Sequence, residues 1–197
     1  SLDMELKQTV ACNQAVARAQ AVHGGSDPVG PTVFLPQRYP DNPGGTNFGP
    51  LYHYRQEIGA KDFWVWTLVY DVSGVQSVVL YVRQDDDGVD PLGDDANQTY
   101  AGGAGVSAWT AWPMTSRAFP KDNVFNDPEI DFSILPTVIA DLAYTQVTGF
   151  SEVLLDYYVE AIDSRGQPAR SPIQHVWVGA QGSDPTGVHW TPTAPRR

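Results

Sequence analysis

Two stretches, Asp62 to Arg83 (DFWVWTLVYDVSGVQSVVLYVR) and Glu152 to Gly166 (EVLLDYYVEAIDSRG), alternate side-chain character with a period of two. Only an extended strand places every second residue on one side, so these stretches commit the chain to β-structure with two unlike faces. In the first, Phe63, Val65, Thr67 and Val69 share one face and Trp64, Trp66, Leu68 and Tyr70 the other. Neither face is polar. Asp71-Val72-Ser73-Gly74 then turns the chain, and Val78, Leu80 and Val82 alternate with Val79, Tyr81 and Arg83. In the second stretch Val153, Leu155, Tyr157, Val159 and Ala161 alternate with Asp156, Tyr158 and Glu160, the pattern of a half-buried strand. After a turn at Ser164 to Gln167, Val176 and Val178 are expected to point inward and His175 and Trp177 outward.

Composition agrees with this reading and narrows the function. The chain has 16 Pro and 18 Gly with only 18% charged residues, which favours short strands and structured loops over a helical bundle. Its formal charge of −11 repels phosphate backbones and anionic surfaces, so no nucleic-acid partner is expected. No apolar run approaches the roughly 20 residues that cross a bilayer, so no membrane insertion is expected. The single cysteine, Cys12, excludes an internal disulfide and leaves no zinc framework.

Around the alternating stretches the chain divides into recognisable pieces. Leu6 to Val22 is rich in helix formers and ends at His23-Gly24-Gly25, which predicts a linker or docking helix within residues 1–30. Pro31 to Pro36 (PTVFLP) reads as a short edge strand, and the Pro- and Gly-rich run that follows as a long loop. Gln84 to Gly103 is acidic. Asp85, Asp87, Asp90 and Asp94 supply the hard oxygen ligands that Ca2+ requires, without the spacing of an EF-hand; a solvated acidic loop is the other reading. Val106 to Pro136 is expected to add a strand and a compact insertion. Thr137 to Thr148 has Ile139, Leu142, Ala143 and Val147 near helical spacing and is expected to form a short helix. Residues 180–197 read as an extended tail.

The run YYVEAIDSRG with its following short strand, together with VYDVSGVQSVVLYVR, resembles the paired strands of immunoglobulin-like and fibronectin type III-like β-sandwiches. From Pro31 to Gly179 the chain is similar to the accessory β-sandwich modules of bacterial glycoside hydrolases, notably those of family 57 type, with an insertion at about residues 84–150. The resemblance implies a link to a parent catalytic domain. It also implies that the residue two positions before the D-x-S-G turn, Val69, faces inward. Phe63, Val65, Val69, Val78, Leu80, Val82, Tyr157, Val159, Ala161, Val176 and Val178 then form one core between two sheets. The far side of the sheet is expected to carry Trp64, Trp66, Tyr70, Tyr81, Arg83, Tyr158, Glu160, His175 and Trp177.

A surface so rich in aromatic residues needs a cover: the chain's own insertion, a neighbouring domain, or a ligand. Sugar rings present C–H faces that stack on indole and phenol rings, while charged and amide groups bond their hydroxyls. The expectation is therefore a module that binds a polysaccharide or oligosaccharide such as an α-glucan. Trp64, Trp66, Tyr81 and Trp177 would form the platform, with Arg83, Glu160 and His175 at its polar edge. The alternative is a structural domain that docks on its parent or a partner. Catalysis would need two carboxylates facing across a cleft, and Asp156 with Glu160 is the pair on offer. No nucleophile-elbow motif is present, and the chain by itself is expected not to be an enzyme.

Overall fold

The first long alternating stretch forms two strands and the second forms one, and all three line a common core. The computed structural model describes residues 27–44, 60–85, 99–118 and 140–180. The strands are β1 (Thr32–Val33), β2 (Gln37–Tyr39), β3 (Phe63–Tyr70), β4 (Val75–Asp85), β5 (Thr110–Pro113), β6 (Thr115–Ala118), β7 (Asp141–Val147), β8 (Val153–Asp163), β9 (Pro168–Arg170) and β10 (Gln174–Val178). They form two antiparallel sheets. One has the order β1-β3-β7-β6, with β2 also on β3; the other has the order β10-β8-β4-β5, with β9 also on β8. The arrangement is a mainly-β sandwich and fits an immunoglobulin-like fold. No helix occurs among the described residues, and the helix expected in residues 1–30 lies outside them.

Every residue assigned to the core from sequence lies in one buried cluster, joined there by Ala143, Val147 and Leu155. Val65, Leu80, Val159 and Ala161 are entirely shielded from solvent. Each of these valine and leucine side chains contributes about 1.5–3 kcal/mol by leaving water, which is why the alternation is so regular along β3 and β4.

The turn at Asp71 to Gly74 does not close a hairpin. β3 pairs with β7 and β4 pairs with β8, so the D-V-S-G turn is an arch from one sheet to the other. Asp71 holds it: its Oδ1 accepts from Ser73 N at 2.8 Å and from Ser73 Oγ at 2.7 Å. Gly74 takes φ 95°, which a side chain disfavours. Consequently the outward residues of β3 and those of β4 lie on opposite outer faces, not on one side of one sheet.

Residues 141–147 are a strand, not the expected helix. Ala143 and Val147 stand four apart, a spacing that suits both a helix face and one face of a strand. Pairing decides between them: Phe63 opposes Val147 and Thr67 opposes Ala143, so the β3 edge captures the segment through its backbone. The expected edge strand at Pro31 to Pro36 is present as β1, and Phe34 N extends its pairing to Leu68 O at 3.0 Å. The insertion supplies two short strands. β5 joins β4 in one sheet and β6 joins β7 in the other, the chain crossing at Met114, whose N–H donates to Val78 O.

At one end, Gly179 N donates to Pro43 O at 2.9 Å. Gly44 has φ 69°, and a Cβ there would stand 2.2 Å from Gly179 O, closer than any real contact. Gly44→Ala is therefore expected to lower stability by more than about 1 kcal/mol. Gly149 has φ 85° with open space around it, so Gly149→Ala should cost less. Urea unfolding of the two variants beside the parent measures the difference, and equal losses would contradict the close approach.

Candidate functional site

The outer face of the β4–β8 sheet is built around a buried ion pair. Arg83 and Asp156 are direct cross-strand partners, and Arg83 Nε meets Asp156 Oδ2 at 2.8 Å with both side chains fully shielded. On the neighbouring strand His175, register partner of Asp156, bonds through Nδ1 to Asp156 Oδ1 at 2.6 Å. Arg83 Nη1 donates to Thr99 O at 3.1 Å, and its guanidinium lies 4.2 Å from the centre of the Trp109 ring. The carboxylate thus has a cation on one oxygen and an imidazole on the other. Such coverage is what lets a charged pair leave water.

A layer of rings seals the pair. Tyr81 stacks on Tyr158 at 5.1 Å, and the rings of Tyr100 and Trp109 each meet Tyr158 edge-on at 4.8 Å. Trp109 Nε1 donates to Tyr100 O, and the Tyr100 hydroxyl donates to Ser171 O at 2.8 Å. Residues 99–109 belong to the insertion, so part of the chain's own insertion covers this face. β8 is therefore buried on both sides from Leu154 to Val159, and not half-buried as its alternation suggests. Farther along, Arg170 Nε bonds Glu160 Oε2 at 2.6 Å near solvent.

The outer face of the β3–β7 sheet is different. Trp64 and Trp66 point outward and are half-buried. Tyr39 opposes Trp64 across one edge of β3, and Tyr144 opposes Trp66 across the other. The Trp64 and Tyr144 rings meet at 6.0 Å with a tilt of 53°. Gln37 and Gln146 stand at the same outward positions of the register, beside Trp66 and Trp64 respectively. An aromatic strip with amide groups at its margins results, and Tyr39 at its edge is 36% exposed.

The residues expected to share one platform are thus divided. Trp64 and Trp66 lie on one outer face; Tyr81, Arg83, Glu160, His175 and Trp177 lie on the other, because the arch at Asp71 to Gly74 sends β3 and β4 into different sheets. Arg83 is beneath the surface, not at a polar edge. Tyr144 is outside the expected set, and Tyr39 reads from sequence only as a loop aromatic that either stacks on a ligand or anchors its loop. Tyr39 sits in turn-rich sequence, and Tyr144 in a segment whose spacing suggested a helix. The carboxylates Asp156 and Glu160 are four residues apart on one strand, about 13 Å at roughly 3.3 Å per residue, too far for a glycosidase pair. Of the expected calcium ligands, Asp87, Asp90 and Asp94 lie outside the described residues, while Asp85 is buried at the end of β4 and bridged to Val106.

No family model matches the chain, and no solved structure matches it. Among curated proteins it is 29% identical to a protein described as alpha-amylase from Niallia circulans, over 91% of this chain. The chain spans 16% of that protein's length. This likeness corrects the expectation that the chain is not an enzyme: what it resembles across nearly its whole length is named as one.

Removing one member of the buried pair leaves the other charge uncompensated in a dry environment. Arg83→Met is expected to destabilise the fold by about 3–5 kcal/mol in urea unfolding, and Arg83→Met with Asp156→Leu by less than Arg83→Met alone. A double variant as unstable as the single one would remove the ion pair as the cause. Burial raises the phenol pKa values of Tyr158 and Tyr100 above 10, with Arg170 opposing the rise in both. The unfolded chain then ionises first as pH climbs. Stability from these two phenols is expected to be complete below about pH 10 and lost as pH rises through their folded values. Absorbance at 295 nm should show them titrating after the exposed tyrosines, and Tyr158→Phe should remove one late transition.

Proposed function

We propose that this chain is a β-sandwich part of a polysaccharide-acting protein of the alpha-amylase kind, and that it contacts an α-glucan through the outer face of the β3–β7 sheet. The observation that carries the reading is the strip of Tyr39, Trp64, Trp66 and Tyr144, with Gln37 and Gln146 beside it. Neighbouring strands stand about 4.8 Å apart, so rings on three adjacent strands offer a surface on which consecutive sugar units can lie flat. The likeness to a protein named alpha-amylase supports the substrate class. In this reading residues 31–179 are the module, residues 1–30 join it to a parent catalytic region, and the module is of the kind appended to family 57 type glycoside hydrolases. The second outer face, with Tyr81, Arg83, Glu160, His175 and Trp177, is reserved for holding the module together, since residues 99–109 already lie on it.

Affinity electrophoresis in gels cast with soluble starch tests this directly. Trp64→Ala with Tyr144→Ala is expected to abolish retardation while leaving the unfolding transition in place. Trp177→Ala is expected to leave retardation unchanged. Retardation that survives the first variant and fails in the second would move the contact to the other face. An intact parent chain that shows no retardation by starch, glycogen or other α-glucans would overturn the reading and favour a face that docks on a neighbouring domain.

A further inference from the structure

Three buried carboxylates meet at the end of the sandwich where β3 and β8 stop. Asp27 precedes β1, Asp71 opens the arch after β3, and Asp163 is the last residue of β8. They are 4%, 2% and 0% exposed, and one carboxylate oxygen from each lies within 4.8 Å of the other two. Two of the three have evident partners. Asp71 accepts from Ser73, and Asp163 accepts from Arg165 N, Gln167 N and Gln167 Nε2. Among the described residues Asp27's carboxylate has none: both of its oxygens are buried without a hydrogen-bond partner. Its position is nonetheless held, because its backbone carbonyl accepts from Gln167 Nε2 at 2.6 Å. Three residues on, Gly30 packs so tightly that a Cβ would meet Pro168 O at 2.6 Å.

We propose that Asp27, Asp71 and Asp163 hold a divalent cation, calcium by its chemistry. A buried carboxylate that makes no hydrogen bond, beside two others, is strongly disfavoured unless positive charge compensates it. The donors are all hard oxygens, with no histidine or thiolate among them, which selects calcium or magnesium over zinc and copper. Oxygens within 4.8 Å of one another can reach a single ion at about 2.3–2.6 Å, the calcium range, and carboxylates gathered from three separate segments suit calcium's flexible coordination better than magnesium, which demands near-octahedral order and keeps several of its waters. The ion would tie the segment before β1 to the exits of both sheets, where Ser164 N already donates to Gly74 O at 2.9 Å. This place lies at the opposite end of β4 from the acidic run that begins at Asp85, since Val75 pairs with Asp163 and Asp85 with Leu154. The site is independent of the glucan-contact reading.

The test uses the whole chain, stripped with EDTA and titrated with CaCl2 or MgCl2 in a calorimeter, with thermal unfolding in parallel. Calcium at about 100 times its dissociation constant should raise the melting temperature by roughly 5–10 °C, and magnesium at the same concentration by much less. Asp27→Asn should abolish the calcium shift while melting in EDTA at or above the parent's temperature, because it removes a repelling charge and no hydrogen bond. Asp71→Asn should also lose the shift, so the proposal does not rest on one variant. Asp90→Asn with Asp94→Asn should keep it. Absence of a calcium response in the parent would overturn the proposal, as would a response that survives Asp27→Asn and is lost in the Asp90/Asp94 variant.

Discussion

The sandwich tolerates a fully buried charge pair because each part of that pair is answered by a different element. Arg83 comes from β4, Asp156 from β8, His175 from β10, and Thr99 and Trp109 from the insertion. None of these partners is near another in sequence except by strand pairing. The network therefore requires the β4–β8–β10 register to be correct to the residue, since a slip by one would turn Arg83 into the core and Leu80 or Val82 outward. In return the desolvated guanidinium holds the insertion down on the sheet. The outer face of one sheet becomes a second, smaller core of rings around Tyr158, and the segment that covers it becomes part of the fold.

That arrangement makes the two outer faces unequal. One is closed by the chain's own residues and is rich in charge-assisted bonds. The other presents Trp64, Trp66, Tyr39 and Tyr144 in a strip with amide groups beside it. Aromatic rings on the first face pack on one another around Tyr158, whereas Trp64, Trp66 and Tyr144 on the second are half-buried and Tyr39 is 36% exposed. The same residue types thus do different things: those on one face pack around the buried Tyr158 and Arg83, and those on the other line up across three strands.

The two inter-strand turns that begin with Asp illustrate how local chemistry and long-range placement combine. D-V-S-G and D-S-R-G both use an Asp side chain to bind the backbone that follows it, an Asx-type turn readable from sequence. One is an arch between sheets and the other a hairpin within a sheet. Their Asp residues meet each other and Asp27 only because the arch and the hairpin end at the same edge of the sandwich.

By itself the sequence determined the strands of the core and which of their faces is inside. Val159 and Val178 are legible from a period of two, because burying every second side chain is a local pattern with a large hydrophobic return; along β3 and β4 neither face is polar, and there the resemblance to β-sandwich modules chose the face of Val65, Val69, Leu80 and Val82. It also determined the edge strand at Pro31 to Pro36 and the inward Val176 and Val178. Only the tertiary structure decided which strands share a sheet. Nothing in D-V-S-G distinguishes an arch from a hairpin, so the division of Trp64 and Trp66 from Tyr81 and Trp177 was invisible until β3 was seen paired with β7. The segment 141–147 reads as a helix in sequence for a related reason: a spacing of four serves both periods, and the backbone partners on β3 make it a strand. The buried Arg83 and the three converging aspartates lay beyond sequence altogether, because a charge reads as exposed until the residues that neutralise it are brought to it from elsewhere in the chain.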